Sequence, residues 1–166
     1  MKSNIVKMIG GMVLAVLVIS TLTLGLVSAQ DDSKSQNGGG RLEGMWDVQV
    51  TIRNCQTGAA LRTTASIGTF MSGGTSLDSS SGIPQALKTP GQGVWGHVGG
   101  NTYRLKFKWF NFDPAGNYTG YTIIKHEANL NPTADAYDSA GTAEVYSPNG
   151  TLVFTGCSTT TATRFE

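Results

Sequence analysis

The chain has 166 residues, a formal net charge of +1 and a hydrophobic fraction of 39%. The sequence contains no long run of charged residues. This length is typical of one folded domain, and the near-neutral charge excludes the basic field on which nucleic-acid binding depends. The hydrophobic fraction is too high for a disordered chain, so the sequence predicts a globular protein that does not bind nucleic acid.

The first residues have the pattern of a secretory signal peptide, which we predict at 1–29. A basic start precedes an almost unbroken apolar run at 8–27, and the small residues Ser28 and Ala29 complete a cleavage site before Gln30. A retained membrane anchor is the alternative, because the run is about as long as the ~20 residues that cross a bilayer. Cleavage predicts a secreted or periplasmic protein without stable membrane association.

The segment at 30–40 is polar, ends in three glycines and has no apolar period. Such a composition predicts a disordered leader. Removal of the signal peptide also takes away two lysines, so the exported chain stays close to neutral. We therefore place a single folded domain at 41–166.

From Gly44 onward, apolar residues recur at period two, which is the pattern of strands with one buried face. Residues rich in Gly, Pro, Asn and Asp separate these runs and favour chain reversals. We predict eight strands, at 45–53, 60–71, 92–98, 102–112, 118–129, 134–138, 141–146 and 151–165. The Ser/Gly/Pro-rich connection 72–91 has room for a short edge strand at 75–78, and no substantial helix is expected in the mature chain.

A meander of about eight antiparallel strands leaves two exposed edges unless it closes on itself. Closure is how all-β proteins remove such edges. The sequence therefore predicts an all-β fold, a closed antiparallel up-and-down barrel in which the first strand pairs with the last.

The two cysteines test this closure. If Trp46 lies opposite Arg164 in an antiparallel pair of the first and last strands, Cys55 comes within one diagonal step of Cys157. Both cysteines then lie on the outer phase of their strands. Because an exported protein can form disulfides, we predict a Cys55–Cys157 bridge, with two free thiols or thiols in a metal site as the alternatives.

Inward-facing residues of a small barrel either fill a core or line a pocket for one small ligand. On the second strand, odd positions alternate large with small or hydroxylated residues, so we expect them to face the lumen and leave a cavity at the end opposite Trp46. Whether Trp95 and His97 or the neighbouring valines face inward is open from the sequence alone. The predicted lining comprises Trp109, Tyr103, Tyr121, His97, Trp95, Phe107 and Met71.

Gly44-Met45-Trp46 at the start of the first strand, with Arg164 near the end of the last, resembles the lipocalins and the wider calycin group. In that family a G-x-W places the Trp across the closed end of the barrel, and an Arg near the terminus packs over its indole. The resemblance implies structural roles for Gly44, Trp46 and Arg164. It also implies a lipocalin-like secreted barrel that binds a small apolar or amphipathic molecule in its lumen.

Two other functions fit the same pattern. Allene oxide cyclase is also an eight-stranded barrel of comparable layout, so the first alternative is a barrel enzyme of cyclase or isomerase type. It requires an ionisable or strongly polar group in the lumen. The second alternative is a structural or interaction module with a filled core, and the oligomeric state is open.

The sequence nominates no catalytic, metal or cofactor site. No G-x-S-x-G motif is present, and neighbouring residues His126 and Glu127 lie on a strand, where they point to opposite faces. His97 and His126 lack the short paired spacings of structural zinc ligands. An enzyme is therefore the less favoured reading, and we expect no cofactor.

Overall fold

The computed structural model describes residues 39–165, which form one closed barrel of eight antiparallel strands. Each strand pairs with the next, and the last pairs with the first, so the predicted up-and-down barrel is confirmed. The strands are β1 Gly44–Arg53, β2 Ala60–Met71, β3 Thr75–Ser80, β4 Gly91–Gly99, β5 Thr102–Phe112, β6 Tyr118–Leu130, β7 Ala136–Tyr146 and β8 Leu152–Arg164.

Two short 3-10 helices, Gly39–Leu42 and Gln85–Leu87, accompany the barrel. Within residues 39–165, no helix is long and apolar enough to cross a membrane. The predicted signal peptide at 1–29 and nearly all of the predicted leader at 30–40 lie outside the described residues.

The number of strands is as predicted, but two of their boundaries are not. The predicted strands 134–138 and 141–146 are one strand, β7, which runs unbroken through Gly141. This glycine lies within the strand and does not form a turn. Glycine is needed there because a Cβ would collide with the carbonyl oxygen of Lys125 and with His126. The predicted edge strand at 75–78 is β3, which pairs with β2 and β4 and so has no free edge.

The seam between β1 and β8 has the predicted register, with Trp46 opposite Arg164. A disulfide joins Cys55 to Cys157 across this seam, with their Cα atoms 5.2 Å apart and a sequence separation of 102. Cys157 pairs with Arg53 and lies on the outer face, so the bridge closes the barrel from outside. The predicted disulfide is confirmed, and such bonds are typical of proteins in oxidising compartments.

The hydrophobic core lies at one end of the barrel, which we call the closed end and define by Trp46 and Arg164. The opposite end, where Trp109 and Phe154 lie, is called the open end. Trp46, Tyr103 and Leu42 are fully buried. The core cluster comprises Leu42, Trp46, Val48, Phe70, Trp95, Tyr103, Leu105, Ala128, Leu130, Tyr137 and Ala162.

Candidate functional site

Strand pairing decides which side chains face the lumen, because directly paired residues point to the same side of a sheet. Trp46 faces inward and pairs with Gly68, so β2 presents its even-numbered residues to the lumen. The expectation that the odd-numbered residues of this strand line the lumen is wrong. Met71 lies on the outer wall and is exposed. Both phases of β2 mix apolar and hydroxylated residues, so its periodicity carried no information on phase.

The lumen position predicted for Tyr121 is also wrong. Phe107 faces inward and pairs with Ile124, so the odd-numbered residues of β6 face outward. The ring of Tyr121 stacks on that of Tyr146 with centroids 4.9 Å apart, and Lys108 Nζ lies 3.8 Å from its centroid. Tyr121 is therefore part of an aromatic and cationic group on the outer wall.

At the closed end, the guanidinium of Arg164 lies over the indole of Trp46 with its carbon 4.5 Å from the ring centroid. Trp46 Nε1 donates a hydrogen bond of 2.9 Å to the carbonyl of Leu42. Gly44 has φ +119°, and a Cβ there would lie 2.7 Å from an Arg164 nitrogen. Only glycine combines this backbone conformation with this close approach.

Trp95 and Tyr103 face inward and pack against each other at the closed end, with ring centroids 5.9 Å apart. Trp95 Nε1 donates a hydrogen bond of 3.0 Å to the carbonyl of Met71. His97 shares this inward phase but is exposed at the rim, where its Nε2 lies 2.8 Å from the carbonyl oxygen of Gly100. These predicted lining residues therefore fill or border the core and do not line the cavity described next.

Between this core and the open end lies an interior cavity of about 50 Å³. Since a water molecule occupies ~30 Å³ in the liquid, the cavity has room for a small polar group or about two waters. It is far smaller than the ~300–1,000 Å³ pockets that enclose whole drug-sized ligands. Its lining is Val48, Val50, Gly68, Phe70, Ser76, Leu77, Asp78, Leu105, Phe107, His126, Tyr137, Ser139 and Thr160.

His126 forms the polar centre of the cavity wall. Its Nδ1 lies 2.7 Å from Ser139 Oγ and its Nε2 lies 2.9 Å from Ser158 Oγ. Ser139 in turn bonds Thr160 at 2.6 Å. Burial lowers the pKa of His126 to about 4, so the imidazole is neutral near pH 7, with one nitrogen donating and the other accepting. Gly141 lies directly opposite His126 on β7 and leaves room for the ring.

Asp78 faces the lumen from β3, and its Oδ2 accepts a hydrogen bond of 2.6 Å from Ser66 Oγ. Burial raises the pKa of this carboxyl, while the Ser66 hydrogen bond and the charge of Lys88 act against the rise. Tyr137 lines the same cavity, and burial together with the Asp78 charge raises its pKa. The cavity thus contains a carboxyl, an imidazole and a phenol that burial shifts toward their uncharged forms.

Lys88 enters the barrel from the connection between β3 and β4. It pairs with Asn111, which faces inward near the end of β5, and its side chain is only 2% exposed. Its Nζ lies 4.8 Å from the centroid of the Trp109 ring and has no hydrogen-bond partner among the described residues. Burial lowers the pKa of Lys88, and the Asp78 charge opposes this effect.

The open end is apolar and reached by solvent. Phe154 pairs with Val145 on the inward phase of β8 but is 60% exposed. Phe107 is half-buried, and its ring centroid lies 6.0 Å from that of Trp109. Trp109 Nε1 donates to Asn111 Oδ1 at 2.8 Å, which fixes the indole at this end. Phe107 therefore lies where the apolar mouth meets the polar cavity.

Larger depressions, of about 400 and 670 Å³, lie on the outer wall around β6, β7 and β8 and open broadly to solvent. They are lined mostly by polar side chains such as Asp47, Asp138 and Thr161. Among residues 39–165, no group of three or more His, Cys, Asp or Glu side chains is placed to hold a metal ion.

Sequence reasoning missed the residues that make the interior polar. Asp78 and Lys88 lie in or beside a Ser/Gly/Pro-rich connection, where a single charged residue is normally solvated. His126 was expected to form part of a strand wall, and only the pairing of β6 with β7 places it beside Ser139. The available signal was alternation on β6, where His126 shares the phase of Ile124, Ala128 and Leu130.

No protein-family model matches the chain, and a search of curated proteins finds no match. The barrel assignment therefore depends on the strand pairing of this chain itself. The lipocalin and calycin relationship remains a resemblance carried by Gly44, Trp46 and Arg164.

Proposed function

We propose that the barrel binds one small amphipathic molecule, with its polar head in the interior cavity and its apolar body toward the open end. The observation that supports this most is the cavity of about 50 Å³, whose wall carries Asp78, His126 and Ser139 above an apolar core. These three side chains already have hydrogen-bond partners within the barrel. A carboxyl group has more acceptor sites than the one that Ser66 fills, so Asp78 can still bind a ligand head group.

The exposure of inward-facing residues gives the direction of entry. At the closed end Trp46 and Tyr103 are fully buried, whereas Phe154 at the open end is 60% exposed. An alkyl chain that lies against Phe107 and Phe154 removes apolar surface from water, which contributes about 25 cal/mol per Å². Small size and an apolar tail are therefore the expected properties of the ligand.

We also propose that the protein is an exported, lipocalin-like binding module. The signal-peptide pattern at 1–29 and the Cys55–Cys157 disulfide support export. The packing of Arg164 over Trp46 supports the lipocalin-like reading.

The binding proposal is tested by titrating the purified protein with octan-1-ol and following tryptophan fluorescence. Saturable quenching or enhancement is expected, because Trp109 lies beside Phe107 at the cavity mouth. Ser76→Leu fills the cavity and should weaken binding about tenfold or more, since Ser76 is buried in its wall. Ser79→Leu, on the exposed face of the same strand, is the matched control and should bind like the wild type. No saturable signal, or equal effects of both variants, would contradict lumen binding.

A second candidate function is a barrel enzyme of cyclase or isomerase type. It is supported by Asp78 and His126, two proton-transfer groups in one cavity whose pKa values burial moves in opposite directions. Such an enzyme should accelerate deuterium exchange at the α-carbon of octanal in D₂O, and Asp78→Asn should abolish the acceleration. Equal exchange with both proteins would exclude Asp78 as the base.

A further inference from the structure

Lys88 occupies a position where a lysine is costly. Its side chain is 2% exposed, and its Nζ has no hydrogen-bond partner among residues 39–165. An ammonium group has three hydrogen-bond donors, and leaving a buried charged donor without an acceptor destabilises the fold. The 4.8 Å approach to the Trp109 ring offsets only part of this cost. The position therefore needs an acceptor that the described residues do not supply.

Asp78 is the acidic group whose charge acts on Lys88. Burial pushes both groups toward their neutral forms, since the pKa of Lys88 is lowered and that of Asp78 is raised. A neutral amine is a nucleophile, and a protonated carboxyl is a general acid. The two residues together thus have the chemistry for addition to a carbonyl group.

We propose that Lys88 is a carbonyl-binding residue that forms a reversible imine with a small aliphatic aldehyde, with Asp78 as the proton donor. The inference rests on the proposed lumen-binding function and names the chemical class of its ligand. A carbonyl oxygen supplies the acceptor that Nζ lacks. An alkyl chain on the aldehyde extends toward the apolar open end, where Phe107 and Phe154 lie.

The reaction balances without a further reagent. The Nζ lone pair adds to the carbonyl carbon, the carbonyl π pair moves to oxygen, and that oxygen takes a proton from Asp78. Nitrogen then returns a proton to Asp78, which gives a neutral carbinolamine. The carbinolamine hydroxyl takes a proton from Asp78 and leaves as water while the C=N bond forms, and nitrogen returns the last proton to Asp78. One water is released, Asp78 is regenerated, and neither oxidant nor reductant is consumed.

The test is reductive trapping of the purified protein with octanal and sodium cyanoborohydride at pH 7, followed by peptide mapping. The internal controls are the exposed outer-wall residues Lys106, Lys108 and Lys125. They have the same amine as Lys88 and differ from it only in their surroundings. Burial lowers the pKa of Lys88, so a larger fraction of this lysine is neutral at this pH than of a control lysine. Lys88 should therefore be alkylated faster than each control lysine.

Two variants sharpen the result. Lys88→Arg should lose the fast labelling, and Asp78→Asn should slow labelling at Lys88 by about tenfold or more, within the usual range for general acid catalysis. Labelling of Lys88 no faster than Lys106, or an unchanged rate in Asp78→Asn, would overturn the proposal. The wild-type map decides the matter even if a variant fails to fold.

The outcome is separable from that of the binding proposal. Saturable octan-1-ol binding without fast trapping at Lys88 would overturn imine formation and leave lumen binding intact. Fast trapping at Lys88 with no octan-1-ol binding would support imine formation and overturn the broader proposal of an amphipathic-ligand barrel.

Discussion

The guanidinium of Arg164 lies 4.5 Å above the Trp46 indole and at the same time donates hydrogen bonds to three main-chain carbonyls. These carbonyls belong to Arg41, Glu43 and Ala134, at distances of 2.6, 2.7 and 2.7 Å. One side chain near the chain terminus thus ties the segment before β1 and the turn before β7 to the closed end. Only a planar guanidinium can stack on a ring and bind several carbonyls in this way.

Arg164→Lys should therefore lower the free energy of unfolding by about 2–4 kcal/mol. A lysine keeps the charge but loses the fork of donors, and it leaves partly buried carbonyls without partners. Urea denaturation followed by tryptophan fluorescence measures the change. Arg104→Lys, on the exposed outer face of β5, is the control and should change stability by less than about 0.5 kcal/mol. A similar small effect at Arg164 would show that its hydrogen bonds add little.

Reduction of the Cys55–Cys157 disulfide should destabilise the barrel by up to about 4–5 kcal/mol in the chain-entropy model, given its sequence separation of 102 residues. The bridge constrains the unfolded chain and clamps the seam where the first and last strands meet. Denaturation midpoints of the wild type with and without reductant give the size of the effect. The double variant Cys55→Ser with Cys157→Ser should match the reduced protein and should not respond to reductant.

Acid should weaken the fold through His126 before the surface carboxylates titrate. The folded-state pKa of His126 is about 4, below the ordinary histidine value of 6.5, so between these values the unfolded chain binds a proton that the folded chain does not. The contribution of His126 to the free energy of unfolding is therefore fully present above about pH 7. It falls as the pH drops toward 4, and about 2 kcal/mol of it is lost at pH 5. The raised pKa of Asp78 has the opposite sign, because the folded state then binds its proton more tightly.

His126→Gln separates these two contributions, since glutamine hydrogen-bonds to the two serines but does not titrate. Asp78 is present in both proteins, so the difference between their pH profiles reports His126 alone. Denaturant unfolding at pH 7 and pH 5 should show a smaller loss, or a gain, in the variant. Parallel losses in both proteins would contradict burial of a neutral imidazole.

Gly141→Ala should cost about 1–3 kcal/mol or more, because the new methyl group would overlap the Lys125 carbonyl and the His126 ring. Gly96 on β4 is the matched control, since no atom lies within 4 Å of a Cβ placed there. Gly96→Ala should be nearly neutral or slightly stabilising. Thermal melts of the two variants measure this contrast, and equal melting temperatures would mean that β7 yields easily around His126.

The sequence was sufficient for the closed barrel and its seam. Alternation on β1 and β5 is strong, and the positions of Trp46, Arg164 and the two cysteines agree on the register between the first and last strands to within one diagonal step. The phase of β2 could not be read in the same way, because its two faces have similar composition. Neither could the outward position of Tyr121, which follows from its pairing partners rather than from its own apolar character.

The cavity was beyond sequence reasoning for a different reason. Asp78 on β3 and His126 on β6 are distant in sequence and line one cavity only when the barrel closes, and Lys88 is buried only when the connection after β3 packs against β5. Each is an ordinary polar residue in its local context, and its burial is a property of the tertiary structure. The Gly141 position shows the same effect, because a residue typical of turns was needed within a strand to make room for a ring.

The most direct test of lumen binding is the location of bound octan-1-ol by intermolecular nuclear Overhauser effects in the purified protein. Methylene protons should contact Phe107 and Phe154, and the carbon next to the hydroxyl should lie near His126 and Ser139. Contacts to the outer-wall residues Tyr121 and Met71 instead, or no contacts at saturating octan-1-ol, would contradict a ligand-binding lumen.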